Sequence, residues 1–124
     1  MGDQHNRRVM LGKQGEAYTA DFYRERGAEI IGRNISYPIG EIDIIAREPD
    51  GTCVFIEVKT RSTLDFGGAE SVTPAKRRRI RAAAARWLGE RSGPAKAGVN
   101  IRFDVMLLVS NQQGGFHIDL IEGI

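Results

Sequence analysis

The sequence predicts a small α/β protein, in which a central mixed β-sheet is flanked by helices and the element order is α-β-β-β-α-β-β. Two segments, near residues 9–26 and 74–88, carry apolar residues at helical spacing. Five shorter segments are rich in Ile, Val and Phe, and a proline–aspartate–glycine turn signal separates two of them. With 124 residues, of which 41% are hydrophobic, the chain is long enough for one domain with its own core.

The elements follow in order from local signals. The first eight residues are polar and are expected to be flexible. A helix is predicted from about Val9 to Arg26, where Gly27 supplies a stop. Thr73-Pro74 opens the second helix, because threonine is a favoured cap and proline suits the first helical position. The strands are predicted at residues 28–35, 40–47, 52–61, 100–109 and 115–121.

Charge and cysteine content narrow the class of protein. The net charge is only +2, but residues 74–91 contain seven basic side chains and one acidic one. The single cysteine, Cys53, excludes an intramolecular disulfide and is expected to be a small buried hydrophobe. There is no apolar run of ~20 residues and no signal peptide, so we expect a cytoplasmic protein with no membrane partner.

The segment Glu48-Pro-Asp-Gly-Thr52 predicts the register of a hairpin. Proline and aspartate suit the central positions of a type I turn, and Gly51 suits the left-handed position of a three-residue loop. With residues 49–51 as the loop, Asp43 lies across from Glu57, and Glu41 lies across from Lys59. A two-residue loop would instead send Asp43 and Glu57 to opposite faces.

The register places carboxylates among apolar residues. Positions 42, 44, 46, 54, 56 and 58 form one apolar face, and Ile45 meets Phe55 on the other, so both faces are expected to be covered. Opposed carboxylates repel each other and destabilise a strand pair. Surface ion pairs with Lys59 are one interpretation. The favoured one is a site for a hard cation, which removes the repulsion.

The wider pattern resembles the YraN-like branch of the PD-(D/E)XK nuclease superfamily. The resemblance is carried by Gly12-Lys-Gln-Gly-Glu-Ala17, Gly40-Glu-Ile-Asp43, Phe55-Ile-Glu-Val-Lys-Thr-Arg61, Lys76 and Arg102-Phe-Asp-Val105. It spans roughly residues 10–121 and implies a restriction-endonuclease-like core. One position departs from the superfamily's name, because Ile42 rather than proline precedes Asp43, and Pro49-Asp50 belongs to the turn.

The resemblance also implies roles for individual residues. Asp43 and Glu57 are similar to the carboxylates that hold Mg²⁺, for which Mn²⁺ can substitute, with the backbone carbonyl of Val58 as a further ligand. Lys59 would orient water or stabilise charge on the phosphate. Glu16 is similar to a first-helix glutamate directed into the metal site, although a solvated charge is the alternative. Glu41 or Glu16 could serve a second ion.

Basic side chains are the candidate nucleic-acid contacts. A helix N-terminus is unfavourable for cations, so the basic start of the second helix is interpreted as a phosphate-contacting patch, with a merely solvated face as the alternative. Lys76 lies nearest the preceding loop and is the one expected to reach the site. The candidates are Arg61, Lys76, Arg77, Arg78, Arg79 and Arg81.

Two functions are carried forward. The favoured one is a Mg²⁺-dependent endonuclease acting on DNA, with branched DNA among the candidate substrates. The alternative is a nucleic-acid-binding or assembly module that keeps the nuclease fold with little or no catalysis. Sequence specificity would come from the loops 62–72 and 89–99 or from a homodimer. The choice between DNA and RNA, and the role of Asp104, stay open.

Overall fold

The computed structural model describes residues 2–62, 72–91, 99–111 and 113–124, which form two helices and five strands. Their order is the predicted α-β-β-β-α-β-β. Within those ranges, no helix is both long enough and apolar enough to cross a membrane. The elements are α1 Gly2–Glu25, β1 Glu29–Tyr37, β2 Gly40–Arg47, β3 Cys53–Arg61, α2 Pro74–Gly89, β4 Ile101–Ser110 and β5 Phe116–Glu122.

Most element boundaries lie within two residues of the prediction, and the start of α1 is the exception. The helix begins at Gly2 rather than near Val9. Residues 5–10 are exposed, so they continue the helix without burying an apolar face, and apolar periodicity gives no sign of them. Most of the predicted loops 62–72 and 89–99 lies outside the described residues, so the specificity expected of them stays a prediction.

The five strands form one mixed sheet in the order β1-β2-β3-β4-β5. The β3–β4 pair is parallel, with α2 as the crossover, and the other neighbours are antiparallel. Ile44 pairs with Ile56 and Ala46 with Val54, which confirms the three-residue-loop register in this part of the hairpin. Gly51 has a φ of 91°, the left-handed conformation that the loop requires.

The helices cover opposite faces of the sheet, as expected for strands that are apolar on both sides. Ala20 and Tyr23 of α1 pack on one face, in a cluster that contains Ile44. On the other face Trp87 of α2 meets Phe55 edge-on, with ring centroids 6.0 Å apart. The core therefore has two halves, and the sheet is the middle layer of three.

One apolar residue lies on the face opposite to its prediction. Strand alternation predicts that Ile42 shares a face with Ile44, but it packs in the α2-side cluster with Ile45. The side-chain alternation of β2 therefore breaks between positions 42 and 45. Asp43 lies at this break, where β2 loses its pairing with β3.

Two further residues that the sequence singled out, Cys53 and Asp104, are buried in the sheet. Cys53 is buried beside Phe55, as expected, and burial raises the pKa of its thiol. Asp104 pairs with Arg102, which answers the question that the sequence left open. Its carboxylate also accepts a hydrogen bond of 2.6 Å from the buried hydroxyl of Tyr23, so it ties β4 to α1.

Candidate active site

The site forms where β2 and β3 separate. Their backbone pairing ends at Ile44–Ile56, while β2 continues beside β1 and β3 continues beside β4. Asp43 then accepts a hydrogen bond of 2.8 Å from the backbone N–H of Val58 through Oδ2. Asp43 and Glu57 are therefore neighbours beyond the end of the ladder rather than a regular cross-strand pair.

The predicted opposition of Glu41 and Lys59 is not formed. The paired part of the hairpin covers only residues 44–47 of β2, so the register does not extend as far as position 41. Glu41 instead pairs with Ser36 of β1 and is exposed at the side of the site. The physical reason is that β2 and β3 diverge. The predicted pairing of positions 41 and 59 assumed that the hairpin register continues beyond Ile44, and it does not.

Asp43 is held in an environment that opposes its ionisation. Burial raises the pKa of its carboxyl to about 7, and repulsion from Glu57 adds to the rise. The hydrogen bond from Val58 works in the opposite direction, and Glu16 on α1 contributes further repulsion. The folded protein therefore stores unfavourable electrostatic energy at this carboxyl when it is ionised.

Two lysines complete the charged centre. Nζ of Lys76 lies 3.2 Å from Oε1 of Glu57, whose residue is only 9% exposed. Partial burial lowers the pKa of Lys59 to about 8, and the neighbouring Lys76 ammonium contributes to the same lowering. Burial also works against the charge of Lys76, but Lys59 and Glu57 outweigh it, so the pKa of Lys76 is raised. Lys76 is thus the persistent cation of the pair.

Local sequence signals put Lys76 in this position. Thr73 caps α2 as predicted, and its hydroxyl accepts a hydrogen bond of 3.2 Å from the backbone N–H of Lys76. Pro74 occupies the first turn, where its missing N–H has no cost. Because the helix starts at a defined residue, Lys76 lies in the first turn and reaches Glu57, as the sequence suggested.

An open cleft of about 460 Å³ runs alongside the two carboxylates. One wall comes from the β1–β2 turn and the start of β2, and the other comes from the first two turns of α2. The cleft therefore gives a ligand access to both acidic and basic groups. Its lining residues are Tyr37, Pro38, Ile39, Gly40, Glu41, Asp43, Glu57, Lys76, Arg79 and Ile80.

The predicted basic residues do not share one surface. Arg79 lines the cleft, and Arg78 is exposed beside it. Arg81 instead donates a hydrogen bond of 3.0 Å to the backbone carbonyl of Ile124 and lies over the Phe103 ring. Two further candidates, Arg77 and Arg61, are half-buried, and Arg61 donates to the carbonyl of Thr60.

Helix α1 lies close enough to the site for the charge of Glu16 to act on Asp43. A Cβ on Gly15 would overlap the Thr60 side chain, so glycine lets the helix backbone lie against β3 at this point. Glu16 is the next residue, half-buried, and its charge acts on Asp43. The glycine of the predicted motif therefore has a packing role that sets the position of the glutamate.

The chemistry of this site fits a hard divalent cation through two carboxylates. Asp43 and Glu57 supply oxygen donors, and their mutual repulsion is the kind that such a cation relieves. Across residues 2–62, 72–91, 99–111 and 113–124, no group of three or more His, Cys, Asp or Glu residues could hold a metal. Glu16 and Glu41 are therefore not gathered with the pair into a larger acidic cluster.

Sequence reasoning missed Asn34 in β1. Its neighbours Arg33 and Ile35 pair with Ile44 and Ile42, so Asn34 faces position 43 across the strand pair. It has a φ of 52°, and its side of the sheet opens into a cleft of about 190 Å³ that Asp43 also lines. The available signal was the residue type, because asparagine tolerates this conformation better than most residues do.

The three-layer fold, the mixed sheet and the Asp–Glu–Lys set at the separating strands are features of PD-(D/E)XK nuclease-like proteins. The chain is therefore a protein of this class, with a restriction-endonuclease-like fold. Residues 15–108 match the family described as "Uncharacterised protein family UPF0102", the YraN-like group of that class. The chain belongs to the UPF0102 family.

Relatives of the same family come from several bacteria. A UPF0102 protein of Corynebacterium efficiens is 46% identical over 92% of this chain and 90% of its own length. One of Nocardia farcinica is 50% identical over 77% of this chain and 73% of the relative. One of Dictyoglomus thermophilum is 43% identical over 84% and 86%, respectively. The similarity covers nearly the whole fold, including the strands that carry the site.

Proposed function

We propose that this protein hydrolyses phosphodiester bonds of DNA as a Mg²⁺-dependent endonuclease. The observation that carries the proposal is the proximity of Asp43 and Glu57 where β2 and β3 separate, beside an open cleft. Lys59 and Lys76 lie near Glu57 and supply positive charge. Two carboxylates that repel each other lower the stability of the fold, so stability alone does not explain why Asp43 and Glu57 lie together. A site that hydrolyses phosphate esters would need such carboxylates to hold a divalent cation.

The metal would be held by Asp43 and Glu57, with the Val58 carbonyl as a further oxygen donor. Glu16, which is not gathered with this pair, would act on the site through its charge. Mg²⁺, or Mn²⁺ in its place, would supply Lewis acidity toward a non-bridging phosphate oxygen. The protein contributes the fixed position of the two carboxylates, because the Val58 N–H holds Asp43 in one orientation.

The two lysines divide the remaining tasks. With a pKa of about 8, Lys59 is partly neutral near neutral pH, so its amine can accept a proton from the attacking water. Lys76 stays protonated, and with Arg79 it can neutralise the phosphate whose negative charge grows as the P–O bond breaks. Glu57 keeps the Lys76 ammonium at the cleft through their contact of 3.2 Å.

Cleavage of a defined substrate panel tests the proposal. Linear, flapped and four-way DNA would be incubated with Mg²⁺ or Mn²⁺ and resolved by gel electrophoresis. We expect products with the wild-type protein and none with Glu57→Gln, which keeps the shape of the side chain. Glu25→Gln is the matched control, because Glu25 is an exposed carboxylate at the end of α1. Equal cleavage by Glu57→Gln and wild type would refute the proposed site.

The second candidate is a nucleic-acid-binding or assembly module with this fold and no catalysis. The Lys76–Glu57 ion pair favours it, because an ammonium already offsets one of the two carboxylates without a metal. Such a module would bind DNA equally in chelator and in Mg²⁺, and it would yield no products from any member of the panel.

A further inference from the structure

The wall of the cleft formed by the β1–β2 turn is apolar. Tyr37, Pro38 and Ile39 line it, and Ile39 leaves 45% of its surface exposed. A single exposed isoleucine is ordinary on a protein surface. The position of Ile39 distinguishes it, because it borders the same cleft as Asp43 and Glu57.

The turn is not one that hairpin stability would select. Two-residue hairpin connections favour Asn-Gly and similar pairs, whose positive φ angles match the twist of the strands. The central residues here are Pro38 and Ile39, and neither has a positive φ. Ile39 also lies outside the clusters that pack on the two faces of the sheet. Its apolar surface is therefore turned to the cleft rather than to a core.

Gly40 fixes this turn against helix α2. A Cβ on Gly40 would overlap the backbone carbonyl of Arg79, so glycine is required for the close approach. The contact keeps Ile39 near Arg79 and Lys76, which line the same cleft. The cleft therefore joins an apolar surface to two cationic side chains at a fixed separation.

A DNA strand with unpaired bases presents the matching pair of chemistries. Its phosphates suit the cations, and its exposed base faces suit an apolar surface, whereas a duplex hides those faces by stacking. A volume of about 460 Å³ is typical of clefts that enclose one small molecule, so a nucleotide fits better than a duplex. We propose that the cleft binds DNA with unpaired bases, with phosphate at Lys76 and Arg79 and a base against Ile39. This inference rests on the proposed function and names its substrate class.

The test is DNA binding in chelator, which requires no cleavage. Fluorescence anisotropy would compare a labelled single strand with a fully paired duplex of the same length. Ile39→Thr should weaken single-strand binding about three- to tenfold and leave duplex binding unchanged, because it removes apolar contact area. Ile101→Thr is the matched control, since Ile101 is 46% exposed and lies at the far end of the sheet. Ile39→Leu should bind as wild type does.

Equal weakening of binding to both probes, or unchanged binding to both, would overturn the inference. Thermal melts of the Ile39 and Ile101 variants establish that each is folded as the wild type is. The outcome is separate from that of the proposed function. A selective weakening in chelator supports this binding site even where the cleavage panel gives no products. Cleavage of DNA without any effect of Ile39→Thr would leave the nuclease proposal standing and remove this one.

Discussion

Replacing Asp43 by asparagine should stabilise the metal-free protein. The asparagine amide oxygen can still accept the hydrogen bond of 2.8 Å from the Val58 N–H, and the half-buried negative charge is gone. A pKa raised from the ordinary value of 3.8 to about 7 corresponds to roughly 4 kcal/mol of electrostatic penalty on the ionised carboxyl. Because solvent near the open cleft screens part of it, we expect a gain of about 1–3 kcal/mol at pH 8.

The gain should depend on pH in a definite direction. The folded-state pKa of Asp43 lies above its unfolded value, so the folded protein holds the proton more tightly. Well below pH 3.8 the carboxyl is protonated in both states, and Asp43→Asn has no electrostatic advantage. As the pH rises toward about 7 the wild type loses stability relative to the variant, and above pH 7 the difference is complete.

Urea and thermal melts at several pH values between about 5 and 8 would measure this difference. In chelator the variant should have the higher midpoint at the alkaline end, and the gap should close as the pH falls. In millimolar Mg²⁺ the wild type should gain more stability than the variant, because binding to the folded state stabilises it. Asp119→Asn is the control, since Asp119 is exposed on β5. A variant that melts lower than wild type in chelator, or whose difference does not vary with pH, would refute the reasoning.

Three further comparisons test separate parts of the molecule. If the proposed mechanism holds, Lys59→Met should abolish cleavage while calorimetric Mn²⁺ binding stays measurable, because the proposal assigns the amine to water and phosphate rather than to the metal. Loss of both together would contradict that role. Gly15→Ala should lower the melting temperature, because the added Cβ would overlap the Thr60 side chain. Gly12→Ala places its Cβ in open space and should raise the free energy of unfolding by about 0.5–1 kcal/mol. Similar changes in stability for the two variants would argue against the close approach of α1 to β3. Changing Arg78 and Arg79 to glutamine should reduce the slope of log K for DNA against log salt by about 0.9 for each phosphate that is no longer neutralised, and an unchanged slope would assign them to a solvated face.

Local chemistry made the hairpin and the second helix predictable. Gly51 in the left-handed conformation fixes a three-residue loop, and the loop fixes which residues of β2 and β3 face each other. Thr73 and Pro74 fix where the first turn of α2 begins, and this places Lys76 in that turn. Each of these features depends on a few residues that are adjacent in the chain, so the sequence alone specifies it.

The remaining features of the site depend on tertiary contacts. The register predicts pairing without saying where pairing stops, so the predicted opposition of Glu41 and Lys59 was wrong. The crossing of Ile42 to the α2 side has the same origin, because side-chain alternation holds only along a regular strand. The dispersal of the basic run depends on distant partners, as when Arg81 reaches the carbonyl of Ile124.

Two aspartates that lie close together in the sheet have different hydrogen-bond partners, because Asp104 pairs with Ile56, and Ile56 pairs with Ile44, the neighbour of Asp43. Asp104 is buried and accepts hydrogen bonds from the Tyr23 hydroxyl, from Arg102 and from the Gly123 N–H. Asp43 is half-buried, accepts one backbone hydrogen bond in the described part of the chain and is repelled by Glu57. This fold can therefore neutralise a buried carboxylate with its own side chains. Asp43 has less compensation and lies beside the open cleft, which is why the proposed function places the metal ion there.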